Sequence, residues 1–170
     1  MKTLATICIA LLLAATPRAE VIDRIMAVVG GQPITLSDVN AALQFHIVEP
    51  PAGTQDPLAY AMDRLVDRTL MLAEVDRFQP PEPDPVEMTI RIEELERRAG
   101  STAAFEKSLA VTGTTREQLR RQIRDDLRIT TYLNQRFGAN TSPGERDTAI
   151  AAWLAELRRR AEITVPYQAK

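Results

Sequence analysis

The stretch of sequence that decides the fold is residues 22–39, which read IDRIMAVVGGQPITLSDV. Apolar and β-branched residues alternate across two faces up to Val29, as expected for a β-strand. Gly30 and Gly31 then supply the positive φ angles that a two-residue hairpin turn needs. The stretch therefore predicts a strand and a tight turn at the start of the fold.

The residues after the turn predict a short return strand at positions 32–34 and then a helix start. Pro33 has no N–H to donate, so this strand is expected at a sheet edge. Thr35 or Ser37 offers a hydroxyl group that can cap the first turn of the helix.

Residues 1–19 have the pattern of a secretory signal peptide. Lys2 is the only early charge, residues 4–15 form an apolar run, and small residues precede Glu20. A run of this length is short for a membrane span of about 20 residues, so a permanent anchor is the weaker alternative. The pattern predicts cleavage near Ala19, with a site close to Ala15 left open, no stable membrane span after cleavage, and periplasmic location.

The composition of the exported part limits its chemistry. Cys8, inside the apolar run, is the only cysteine, so the chain after cleavage has no disulfide and no thiolate metal site. Cleavage leaves 19 basic against 23 acidic residues, a formal charge of -4, which argues against nucleic acid as a partner. About 150 residues suit one domain with its own core.

Apolar residues at helical spacing, N-cap residues and terminating glycines or prolines predict six helices. They are expected at about residues 36–48, 57–78, 85–99, 101–112, 115–137 and 145–161. Capping boxes are predicted from Asp84 with Glu87 and from Thr114 with Glu117, and the helix at 115–137 is expected to be the longest. Residues 163–165 (ITV) predict a final strand.

Three segments in this order carry a family resemblance: AVVGGQPITLSDV at 27–39, LVDRTLMLAEV at 65–75 and WLAELRRRAEITV at 153–165. Together they resemble the SurA-type periplasmic chaperones. The resemblance implies a mainly α fold, a multi-helix core with a small β-sheet formed by the N-terminal hairpin and a C-terminal strand. It assigns residues 20–138 to the chaperone core and residues 139–170 to a helix and strand that complete it.

The chain departs from that family where its relatives insert a parvulin isomerase domain. Only about a dozen residues lie between Gly138 and Ile150, and His46 is the only histidine. Prolyl isomerase activity is therefore not implied, and no hydrolase, P-loop, zinc-protease or dinucleotide motif is present. The expectation is a protein that is not an enzyme, with no cofactor and no metal site.

The resemblance implies an ATP-independent, holdase-like chaperone for apolar or aromatic segments of unfolded outer-membrane or secreted proteins. Flexible methionines and aromatic rings suit such a site. The candidate peptide-binding residues are Met62, Met71, Met88, Phe105, Tyr132 and Phe137. For each of them, plain core packing is the stronger alternative.

Two further questions stay open at this stage. The same core could serve as a non-catalytic envelope adaptor or assembly subunit with one fixed partner, because fold does not imply function. Strand exchange between two copies could also complete the sheet and give a homodimer.

Overall fold

A computed structural model describes residues 23–138 and 142–167 of the chain. The signal peptide and cleavage site predicted at residues 1–19 lie outside the described residues. The elements, in chain order, are β1 Ile25–Val29, β2 Gln32–Thr35, α1 Leu36–Gln44, α2 Pro57–Phe78, α3 Pro85–Arg98, α4 Thr102–Thr112, α5 Arg116–Phe137, α6 Pro143–Arg160 and β3 Ile163–Thr164. The protein is mainly helical with a small antiparallel sheet, as predicted.

The N-terminal hairpin forms as predicted. β1 and β2 pair antiparallel, and Gly30 and Gly31 have φ angles of 55° and 82°, the positive values of a type I′ turn. The register shifts between Ile25 and Ala27, so the neighbouring residues Met26 and Ala27 are both buried. The strict alternation expected from the sequence is therefore broken by an irregularity in the ladder.

The C-terminal strand joins this hairpin in one sheet, with the strand order β2-β1-β3. Val28 pairs with Thr164 and Val29 pairs with Ile163. The Gly30 N–H also donates to the Glu162 carbonyl at 2.9 Å. β2, which contains Pro33, is an edge strand as predicted, and β1 lies in the centre.

Helix starts agree with the sequence in part. Thr35 caps α1 in a capping box with Asp38, and Asp56 caps α2 by accepting from the Ala59 N–H at 2.8 Å. Asp84 caps α3 by accepting from the Val86 N–H at 2.8 Å, and the predicted box with Glu87 is wrong.

The box at the start of α5 lies one residue later than predicted. Thr115 and Gln118 form it, in place of Thr114 and Glu117. Thr114 is still part of the end of α4, because its N–H donates to the Leu109 carbonyl at 3.0 Å. α5 shares the greatest length with α2, since both have 22 residues.

Three hydrophobic clusters form the core. The first joins the sheet to α2 and α6, and contains Met26, Val66 and Leu157. The second joins α1, α3, α4 and α5 around Phe105. The third, around Val75 at the end of α2, includes α5 and is covered by Trp153 of α6.

Candidate binding cleft

A cleft of about 860 Å³ opens between the hairpin, α1, α2 and the end of α6. We call it the α2 cleft, because α2 supplies more of its wall than any other element. Its apolar lining includes Val29, Pro33, Ile34, Ala42, Ile47, Leu65, Leu70, Leu72, Ala73, Leu157 and Ala161. Its polar lining is Gln32, Asp38, Arg68, Thr69, Glu74, Asp76, Arg77, Gln122, Arg160 and Glu162.

The spacing of residues on α2 explains the wall. Leu65, Thr69, Leu72 and Asp76 follow one another at three or four residues, so they share one face of the helix. The adjoining part of the same apolar face carries core residues such as Val66. Leu65, Thr69 and Leu72 are only partly covered and remain available to the cleft.

Arg68 forms the fixed inner part of this wall. Its Nε lies 2.7 Å from Asp126 Oδ1, and one of its terminal nitrogens donates to the Gln122 carbonyl at 2.9 Å. Only 17% of the Arg68 side chain is exposed. The guanidinium is thus neutralised and held against α5, and it ties α5 to the cleft.

The charges at the rim are largely paired. Arg77 contacts Glu74 at 2.7 Å, Asp76 contacts Arg128 at 2.9 Å, and Arg160 contacts Glu156 at 3.3 Å, which leaves little excess of either sign. Such a cleft has no strong preference for a small charged ligand. Partly exposed aliphatic walls with a balanced polar rim suit an apolar chain segment.

An ion-pair cluster attaches α6 to α2 beside the cleft. Arg158 Nε lies 2.6 Å from Asp67 Oδ1, and Arg158 Nη2 lies 2.8 Å from Asp63 Oδ1. Arg64 also contacts Asp67, at 3.1 Å. Asp67 is 5% exposed, so these contacts balance a buried carboxylate and place the neighbouring Leu157 at the cleft.

The same cluster shifts the ionisation of Asp63. Burial by itself raises the pKa of this carboxyl, but the hydrogen bonds and charges of Arg64 and Arg158 outweigh it. The pKa of Asp63 is therefore lowered below its ordinary value. The pKa of the Arg158 guanidinium shifts in the matching direction. Burial lowers this pKa, but the hydrogen bonds and charges of Asp67 and Asp63 outweigh burial, so the pKa is raised.

The six candidate peptide-binding residues do not come together in this cleft. None of them lines it, and four are buried: Met62, Met88, Phe105 and Tyr132. Met62 belongs to the cluster under the sheet, Met88 and Phe105 to the cluster around α4, and Tyr132 to the cluster at the end of α2. The structure therefore does not bring these six residues into the cleft, because the pairing of helices covers four of them. Their part in peptide binding stays a prediction.

The remaining two candidates are partly buried: Met71 lies in α2, and Phe137 is the last residue of α5. Met71 packs against the cluster around Val75. Phe137 lies against Trp153, with ring centroids 5.6 Å apart. These two residues border the core near α6 and are separate from the α2 cleft.

His46 lies at an exposed position beside Glu49. Its Nδ1 lies 3.4 Å from Glu49 Oε1, and both side chains are more than half exposed. Between residues 23 and 167, apart from 139–141, no group of three or more His, Cys, Asp or Glu side chains is placed to hold a metal ion. Over the same ranges, no helix combines the length and apolar character needed to cross a membrane.

No protein-family model matches the sequence, and no curated protein matches it at a significant level. The class of protein is therefore defined by its fold: a mainly helical protein whose N-terminal hairpin and C-terminal strand share one sheet.

Proposed function

We propose that this protein is a periplasmic, ATP-independent chaperone that holds apolar segments of unfolded outer-membrane or secreted proteins in the α2 cleft. The observation that carries the proposal is the cleft itself, with partly exposed aliphatic side chains and a charge-balanced rim. The export pattern of residues 1–19 and the resemblance of the sequence to SurA-type chaperones support the same function.

The chemistry of the cleft favours loose, noncovalent binding. Leu65 and Leu72 can contact aliphatic or aromatic side chains of many sequences without a fixed hydrogen-bond pattern. Such binding would keep apolar segments from associating with one another. The proposal includes no catalytic step and no prolyl isomerisation.

The aggregation of a client tests the proposal. The exported form of the chain, mixed without ATP with a urea-unfolded outer-membrane β-barrel protein on dilution, should slow the rise of light scattering at micromolar concentration. If scattering rises at the same rate with and without excess protein, the chaperone function is wrong.

A cleft variant tests the location of the binding site. Ala73 is exposed on α2 and lines the cleft, so Ala73→Lys places a long charged side chain there without changing the core. Ala151→Lys on the exposed side of α6, outside the cleft, is the matched control. Suppression of client aggregation should fall for Ala73→Lys and stay unchanged for Ala151→Lys. Equal suppression by both variants would mean that the client binds outside the α2 cleft.

A second candidate function, an adaptor with one fixed partner, is favoured by a different surface. Val86 and Ile90 lie four residues apart on the same face of α3 and are 63% and 59% exposed. Such an apolar pair suits one complementary surface. Recovery of a single stoichiometric partner from envelope extracts, without suppression of aggregation, would favour the adaptor over the chaperone.

A further inference from the structure

A cluster of aromatic rings lies where α2, α5 and α6 meet, away from the α2 cleft. Ring centroids are 5.3 Å apart for Phe78 and Tyr132, and 5.8 Å apart for Tyr132 and Trp153. Phe137 adds a further ring, 5.6 Å from Trp153. We call this cluster of four rings the aromatic corner.

The aromatic corner surrounds a guanidinium group. The Arg136 Cζ lies 5.9 Å from the ring centre of Tyr132, 5.4 Å from that of Phe137 and 5.5 Å from that of Trp153. One Arg136 nitrogen donates to the Tyr132 hydroxyl at 3.0 Å. The rings thus hold a planar cation in place at the surface, where its other donors face solvent.

Arg136 differs from most arginines of this protein in having no carboxylate partner among residues 23–138 and 142–167. Its neighbours on the same helix, Arg124 and Arg128, are both paired with aspartates. Arg146, two turns before Trp153 on the same face of α6, is similar to Arg136, since it donates to the neutral Asn134 side chain at 2.7 Å. The Nε of Arg146 is buried and has no acceptor within those ranges.

From this geometry we propose that the aromatic corner is a docking site for an acidic polypeptide segment that carries an aromatic or large aliphatic side chain beside its carboxylates. A carboxylate accepts hydrogen bonds from Arg136, and Arg146 adds a second positive charge along α6. Phe78, 61% exposed, supplies the apolar contact. Charge complementarity therefore selects the occupant.

A membrane surface fits this site less well than a peptide does. Binding to anionic lipid needs a cluster of about four to eight basic side chains, whereas the corner has Arg136 and Arg146. A short acidic segment needs only the two guanidinium groups and the neighbouring rings. This occupant and this surface both differ from the proposed client and the α2 cleft.

Trp153 is the only tryptophan of the chain, so its fluorescence reports on the aromatic corner. A short peptide of alternating aspartate and phenylalanine is titrated into the exported form of the chain. The Trp153 emission should change with peptide concentration and reach a plateau when the site is saturated. A matched peptide of alternating lysine and phenylalanine should bind at least about tenfold more weakly, because it lacks the charge-assisted hydrogen bonds.

Variants on the same helix test the role of the guanidinium. Arg136→Gln should weaken binding of the acidic peptide about tenfold, and Arg136→Lys, which keeps the charge but not the planar group, should weaken it less. Arg120→Gln is the matched control, since Arg120 is exposed on α5 and makes no ion pair in the described part of the chain. Ala73→Lys in the cleft should leave this titration unchanged, which separates this proposal from the proposed chaperone function.

Three outcomes would overturn the proposal. Equal affinity for the acidic and basic peptides would show that charge does not select the occupant. An unchanged affinity of the Arg136→Gln variant for the acidic peptide would show that the guanidinium takes no part in binding. A change of Trp153 emission with vesicles of equal parts phosphatidylglycerol and phosphatidylcholine, without any with the acidic peptide, would make the corner a membrane contact.

Discussion

Arg158 and Asp67 lie 91 residues apart in the sequence, yet the Nε of the first is 2.6 Å from Oδ1 of the second. Asp67 is almost fully buried in the middle of α2, and Arg158 comes from the last turn of α6. The pair joins the C-terminal segment to the helix that forms the wall of the α2 cleft. Its removal should therefore affect both the stability of the protein and the shape of the cleft.

Arg158→Ala is expected to lower the free energy of unfolding by about 2–4 kcal/mol, because it leaves a buried carboxylate with only Arg64 beside it. Arg159→Ala is the matched control: the neighbouring arginine is 74% exposed and pairs with the surface residue Glu156, so its loss should cost less than about 1 kcal/mol. Urea unfolding of both variants measures the difference. Equal losses would mean that the buried pair contributes no more than a surface ion pair.

The lowered pKa of Asp63 predicts a contribution to stability that depends on pH. The ionised form is favoured in the folded state, so this contribution is fully present above the ordinary pKa of 3.8 and is lost as the pH falls through the lowered folded-state value. Asp63→Asn should reduce the urea midpoint at pH 7, and the difference from the original protein should shrink as the pH falls below about 4. Asp147→Asn, at an exposed position of α6, serves as the control. A difference that stays constant over this range would contradict the ionisation of Asp63 as its cause.

Gly31→Val should destabilise the protein by about 1–3 kcal/mol, since residue 31 has a φ of 82° that a β-branched residue rarely adopts. No atom of the described residues lies within 4 Å of an added Cβ, so the effect is expected to come from the backbone. Gly30→Asn creates the asparagine-glycine sequence typical of this turn and should change stability by less than about 0.5 kcal/mol. Thermal unfolding compares the two variants, and a stable Gly31→Val protein would show that the turn relaxes to another form.

Phe105→Ala tests whether Phe105, a predicted peptide-binding residue, instead stabilises the core. Phe105 is 1% exposed and contacts Phe45 edge to face, so its truncation should cost about 3–5 kcal/mol of unfolding free energy. Val111→Ala on the same helix, at a residue 74% exposed, should cost less than about 0.5 kcal/mol. Denaturant unfolding measures both changes. A Phe105→Ala protein that keeps its stability but no longer suppresses aggregation would show that Phe105 takes part in client binding.

Local patterns predicted much of the secondary structure and the position of its turns. The glycine pair at 30–31, the proline after Asp56 and the glycine at 113 each define a backbone conformation that depends on only a few neighbours. The same patterns misplaced the capping box at Thr115 by one residue, because the end of α4 competes for Thr114 through the Leu109 carbonyl. The exact start of α5 thus depends on a contact with the end of α4, which the sequence pattern of α5 by itself does not show.

The binding surface could not be predicted in the same way. Met62, Leu65, Val66 and Leu72 recur at helical spacing, so they lie on one apolar face of α2. Whether a member of the face is covered depends on the helix or strand that packs on it, and this is decided by residues far away in sequence. Met62 is covered by the core, whereas Leu65 and Leu72 are left at the cleft.

The sequence by itself determined the hairpin, the helix segments and the mainly helical class, because turn geometry, capping and periodicity act over a few residues. Only the tertiary structure decided that β3 pairs with β1, that Arg158 balances Asp67, and that the candidate methionines and aromatic rings are divided among three clusters. These contacts join residues that are distant in the chain. Their partners are selected by how the apolar faces pack together, and no local pattern contains that information.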